Sequence, residues 1–247
     1  MKKIYTVILS ALSLNAAANE VDDFKNKYKL LDNEIRIVKM NDFMKSSIKN
    51  DKDSKEIMNS IFEMKKTKMA MDKQGYVRKN NPSVKFLLHQ MKDEEFRNFV
   101  KSHTHEFADT LAGVQVAYEY KAINPSYYDA HWGYSPMGVY RTLEHGYEKE
   151  GWTGVVEVFE KEGLSCSYTE HNTKLAHGGN ELIEELINHQ INSKPTIELV
   201  SGDDEGFGYK ISWFQKDFDK ALECASLEYS KKTLEKVRLF AKEIDNK

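Results

Sequence analysis

The sequence predicts an α+β protein: an N-terminal helical region, then an antiparallel four-stranded sheet of two hairpins packed with helices on one face. Three observations carry that expectation. Apolar residues keep helical spacing before residue 102, and β-rich runs separated by turn residues begin at Trp152. From there the elements run strand, strand, helix, strand, strand, helix.

Residues 1–18 read as a secretory leader. Met1, Lys2 and Lys3 give a basic start, and residues 4–14 are apolar but shorter than the roughly 18 residues that a spanning helix needs. Ala16, Ala17 and Ala18 supply small residues for a cut after Ala18. No cysteine lies near that cut to be acylated, and no later apolar run is long enough to span. A soluble protein that is periplasmic or secreted is therefore expected, one that does not span a membrane.

Residues 19–122 form the basic helical region. Phe24, Tyr28, Leu31, Ile35 and Val38 recur every three or four positions, which places them on one stripe of a helix. That stripe would pack on another helix of the same chain, or on a second copy in a homo-oligomer joined through the N-terminal helices. Residues 49–54 interrupt the pattern as a polar linker. Ile57, Ile61 and Met64 mark a second helix with Met69 and Met71 near its end. After Gly75 and the Asn80-Asn81-Pro82 punctuation, Val84, Leu87, Leu88, Met91, Phe96 and Phe99 mark a third. Residues 113–121 fit either a helix or a strand, because Val114, Val116, Tyr118 and Tyr120 alternate while Phe107, Leu111, Val114 and Tyr118 keep helical spacing.

Residues 123–151 form an aromatic-rich connecting segment, and residues 152–247 the acidic α+β module. Val155, Val156, Val158 and Phe159 face Leu164, Cys166 and Tyr168 across a turn at Lys161-Glu162-Gly163. Asn180 is placed to cap a helix running to about His189, ended by Ser193-Lys194-Pro195. Residues 196–200 and 207–214 make the second hairpin around a turn at 202–206. A closing helix is expected from Lys216, with Phe218, Leu222, Ala225 and Tyr229 on one stripe and Val237, Ala241 and Ile244 continuing it.

Charge divides the chain. Residues 19–101 hold 19 Lys and Arg against 14 Asp and Glu, whereas residues 102–247 hold 15 against 25. The basic part is poor in Arg and lacks a recognition motif, which together with export argues against nucleic acid. Cys166 and Cys224 are the only cysteines, an even pair that an oxidising compartment bridges. The expected element order sets Cys166 on a strand and Cys224 on the closing helix, so their disulfide would tie sheet to cover.

The densest group of potential binding residues is Tyr127, Tyr128, Asp129, His131, Trp132 and Tyr134, expected on a loop bounded by Pro125, Gly133 and Pro136. Flat rings beside hydrogen-bonding groups suit a protein or cell-envelope partner. The same rings could instead fold back over the junction between the two halves. His105 and Asp109 share a helix face without a third ligand, so no metal is expected. Asp203-Asp204-Glu205 lacks the alternation of a calcium loop. Ser46 to Lys49 matches S-x-x-K without its partner motifs, and nucleotide, zinc-protease and nucleophile-elbow signatures are missing. These readings favour an exported, non-enzymatic binding protein without a cofactor. The alternative is a secreted or periplasmic hydrolase assembled from distant segments, with Asp129 and His131 as its acid–base pair.

Overall fold

The structure, a computed structural model, describes residues 35–47, 54–95, 98, 123, 127–137, 140–144, 147–174 and 180–246. Its centre is an eight-stranded mixed sheet. The strands are β2 (Val77–Arg78), β3 (Ala130–Met137), β6 (Gly154–Lys161), β7 (Leu164–Asn172), β9 (His189–Ile191), β10 (Lys194–Asp203), β11 (Gly206–Gln215) and β12 (Phe218–Ser226). They lie in the order β2-β10-β11-β12-β7-β6-β3, with β9 paired to β10 off this path. Only the short β2 runs parallel to its neighbour, β10; the other pairings are antiparallel. Two small pairs accompany the sheet. β1 (Ile35–Val38) runs parallel to β8 (Asn180–Ile183), and β4 (Tyr140–Glu144) forms a hairpin with β5 (Tyr147–Gly151).

Four helices complete the described chain: α1 (Met40–Ser47), α2 (Ser54–Gln74), α3 (Pro82–Lys92) and α4 (Lys231–Asp245). Their ends obey local chemistry. Asn81 accepts from the Ser83 amide at 3.1 Å while Pro82 opens α3, and Ser230 Oγ accepts from the amides of Lys232 and Thr233 at the start of α4. α2 stops at Gly75, whose φ of +82° suits glycine and where a Cβ would run into the Tyr229 hydroxyl. The β6–β7 turn puts Glu162 and Gly163 at φ 49° and 75°, and the β9–β10 turn puts Asn192 and Ser193 at 45° and 69°, the left-handed pair that tight hairpins favour.

Alternation along the strands sorts the two faces of the sheet. Phe159, Cys166, Tyr168, Leu222, Cys224, Tyr209, Ile211 and Trp213 point to one face, where Val237, Phe240, Ala241 and Ile244 of α4 cover them. On the other face, small residues line up across the strands: Ser165 opposite Ala225, and Ala225 opposite Gly208. α3 settles there through Val84, Leu87 and Leu88, and a Cβ on Gly208 would strike Val84. Beside α3, the same face at β10 and β11 carries Ile197, Leu199 and Phe214, packed against Ile61 and Met64 of α2 and Leu182, Ile183 and Leu186.

This architecture corrects the expected fold class. The sheet has eight strands and mixed pairing instead of four antiparallel strands, and helices cover both faces instead of one. Three segments account for the difference. Residues 180–189, expected as a capped helix, are β8, a 3-10 turn (Glu184–Leu186) and the start of β9. Ile35 to Val38, expected at the end of a helical stripe, is β1, and its partner is β8, about 145 positions away. The stripe from Phe218 to Ala225 is β12, held between β11 and β7 along nearly its whole length. The aromatic segment is likewise no simple loop, since residues 130–137 form β3 with an irregularity between His131 and Gly133. Residues 1–18, the stripe from Phe24 to Leu31 and residues 113–121 lie outside the described residues. No helix among the described residues is long and apolar enough to cross a membrane.

Cys166 and Cys224 form a disulfide, wholly buried. Cys224 sits on β12, not on a closing helix, so the bond joins directly opposed residues of neighbouring strands, 4.0 Å apart at Cα. It clips β7 to β12 and does not tie the sheet to its cover.

Candidate functional site

β6 places Val155, Glu157 and Phe159 on the α4 side of the sheet, so the period of the strand drives one carboxyl into an apolar face. Glu157 is 0% exposed. Burial pushes its pKa up to about 8, with the Glu170 carboxyl adding to the rise and the polar backbone of Ile123 opposing it. The Glu157 side chain is therefore mostly a neutral acid at pH 7. Among the described residues, only His131 comes within ion-pair reach, its Nε2 lying 3.8 Å from Oε2.

Two side chains of the predicted group meet this carboxyl, and a third, Tyr134, joins them through the His131 ring. The Tyr128 hydroxyl donates to Glu157 Oε2. His131 stands between two rings, its centroid 5.0 Å from that of Tyr128 and 4.2 Å from that of Tyr134. Burial holds the imidazole neutral by lowering its pKa to about 4, and it raises those of the Tyr128 and Tyr134 phenols. The β3–β6 register explains the gathering, because His131 opposes Phe159 and Tyr134 opposes Glu157. Two atoms of the cluster, Glu157 Oε1 and His131 Nε2, are buried without a hydrogen-bond partner. Such atoms are rare in folded proteins because each costs the desolvation of a polar group.

The remaining predicted residues have other places. Tyr127 belongs to the core: its hydroxyl donates to the Phe240 carbonyl at 3.3 Å, and Lys161 Nζ stands 3.7 Å over its ring. Asp129 is exposed and accepts from the Glu162 amide, which fixes the approach to β3. It is not the carboxylate beside His131; Glu157 is. Trp132 lies on β3, but its side chain is outside the described residues, as are His105 and Asp109. Glu157 escaped sequence reading, although a lone acid alternating with Val155 and Phe159 was its available signal.

A second polar group lies further along the same face. Asp245, at the end of α4, accepts from Trp213 Nε1 at 2.9 Å and Asn192 Nδ2 at 3.0 Å, with Lys220 at 3.8 Å. Lys220 also reaches Glu170 at 3.6 Å, which accepts from the Tyr168 hydroxyl at 2.7 Å. These charges are mutually paired, so they fasten α4 to the sheet and leave nothing unsatisfied to receive a ligand. Among the described residues, no group of three or more His, Cys, Asp and Glu side chains is arranged to hold a metal.

Comparison of the chain with protein-family models, with curated proteins and with solved structures gives no match.

Proposed function

We propose that this chain is an exported, non-enzymatic binding protein whose recognition site is the aromatic edge of the sheet, Tyr128, His131 and Tyr134 backed by Glu157. The observation that carries this reading is the pair of buried, unpartnered polar atoms, Glu157 Oε1 and His131 Nε2, at one point on the sheet. A receptor site keeps such atoms because a bound group satisfies them. The leader-like residues 1–18 and the disulfide, a bond at home in oxidising compartments, support periplasmic or secreted residence. The partner is a protein or a component of the cell envelope.

Crosslinking and affinity capture from the native compartment test the reading. Wild-type protein should retain a partner that Tyr134→Ala and His131→Ala lose, with both variants melting as folded proteins. Equal capture by all three would remove the aromatic edge from the account. Self-association is a separate proposal, supported by Met58, Phe62 and Met69, which stand exposed along α2. Size-exclusion analysis of Phe62→Lys tests it, and an unchanged elution volume would count against it.

The hydrolase alternative takes a different form here, since Glu157 replaces Asp129 as the acid facing His131. Turnover of ester, amide or glycoside substrates that Glu157→Gln abolishes would favour it over binding alone.

A further inference from the structure

The site proposed above has a chemical polarity. Glu157 Oε1, once ionised, is an acceptor, and a neutral imidazole whose proton sits on Nδ1 turns a lone pair outward at Nε2. The Tyr128 hydroxyl spends its proton on Glu157, leaving its own oxygen as a further acceptor. No lysine or arginine among the described residues reaches the Glu157 carboxyl; the Glu170 carboxyl acts on it from further along the face and is itself paired with Lys220. An anion would meet the Glu157 acid without a countercharge of its own. A ligand carrying several N–H donors and a positive charge satisfies each group at once, and the tyrosine rings flanking His131 suit a cation as well. The His131 side chain, 25% exposed, is the part of the His131–Glu157 pair that meets the surface, with Glu157 wholly buried behind it.

We propose that Glu157, His131, Tyr128 and Tyr134 form a receptor for one alkylammonium group, carried by a small amine or by a lysine side chain. This rests on the binding reading given above and narrows it to a chemical class. Binding converts the neutral Glu157 acid to a carboxylate, and its proton leaves to solvent, so the ion pair forms inside a site that cannot hold the charge alone.

The test is calorimetric titration of the purified exported protein with butylammonium and with Nα-acetyl-lysine methylamide, beside butanol and butyrate as neutral and anionic counterparts. The amines should saturate one site and release a proton, detected by comparing buffers of different ionisation enthalpy. Their affinity should rise about 10-fold per pH unit between pH 6 and 8 and level off above, because the amine must first displace the Glu157 proton. Glu157→Gln should bind at least about 10-fold more weakly at pH 8 and lose the pH dependence while melting as a folded protein. Tighter binding of the lysine derivative than of butylammonium assigns the group to a side chain, and equal binding assigns it to a free amine. Butanol binding as tightly as the amines, undiminished binding by Glu157→Gln, or no saturation by either amine would overturn the proposal. If the amines fail while Tyr134→Ala still loses the captured partner, only the ammonium assignment falls. If Tyr134→Ala retains that partner, the binding reading itself falls.

Discussion

Glu157 and His131 are both buried in their neutral forms, yet their protons report in opposite directions. The Glu157 pKa is raised from 4.5 to about 8, so the folded state holds a proton that the unfolded chain releases in that interval. Stability from this group is complete below about pH 4.5 and is lost as pH rises to 8, at about 1.4 kcal/mol per pH unit. The His131 pKa is lowered from 6.5 to about 4, so in that interval the unfolded chain binds the extra proton and stability rises with pH. The two slopes oppose one another between about pH 4.5 and 6.5, and only the Glu157 loss remains between 6.5 and 8. Denaturant melts across pH should therefore show wild type losing stability relative to Glu157→Gln as pH climbs from 5 to 8. A constant difference would mean that Glu157 is ionised or solvated in the folded protein. Sequence reading singles out Tyr128, His131 and Tyr134, which the structure brings together, because aromatic density is visible along a chain. It passes over Glu157 because the depth of a strand residue depends on which face the rest of the fold covers, and Asp129, near His131 in sequence, accepts from the Glu162 amide instead of facing that imidazole.

At the scale of elements, local patterns were readable where the chain closes on itself. The β6–β7 and β10–β11 hairpins, the body of α2 and the start of α3 all follow from turn residues, caps and apolar spacing. Misreadings concentrate where a segment's partner is remote. Ile35 to Val38 and Asn180 to Ile183 pair with one another, and neither carries a signal of the other. The spacing of Phe218, Leu222 and Ala225 predicts a helix where β12 lies, although Leu222 and Cys224 also alternate, and strands on both sides of it settle the choice. The seat of α3 is equally invisible in sequence, since it depends on Ser165, Ala225 and Gly208 falling in one cross-strand row. Gly208→Val should cost about 1 to 3 kcal/mol by forcing Val84 away, despite the better strand propensity of valine. Thermal unfolding checks this. A variant as stable as wild type would show that α3 does not sit closely on that row.

Over the whole molecule, the sheet depends on pairings between segments far apart in sequence, and β7 meets β12 across 58 positions at the cysteines. The disulfide lowers the entropy of the unfolded chain over that span, so Cys166→Ser with Cys224→Ser should cost about 4 kcal/mol in the chain-entropy model. Unfolding of the double variant should keep the wild-type secondary structure and lose only stability; an unchanged midpoint would deny the bond that role. The proposal of recognition outside the cytoplasm rests on the leader-like residues 1–18, the disulfide, and an aromatic edge backed by a buried acid. The most direct measurement replaces Tyr134 by a photo-crosslinking phenylalanine analogue, which keeps the ring, and, for comparison, exposed Lys232 on α4 by the same residue, in protein folded in its native compartment. Position 134 should give a discrete adduct that position 232 does not give and that Glu157→Gln abolishes. Equal labelling from both positions, or none from 134 in folded protein, would contradict the proposal.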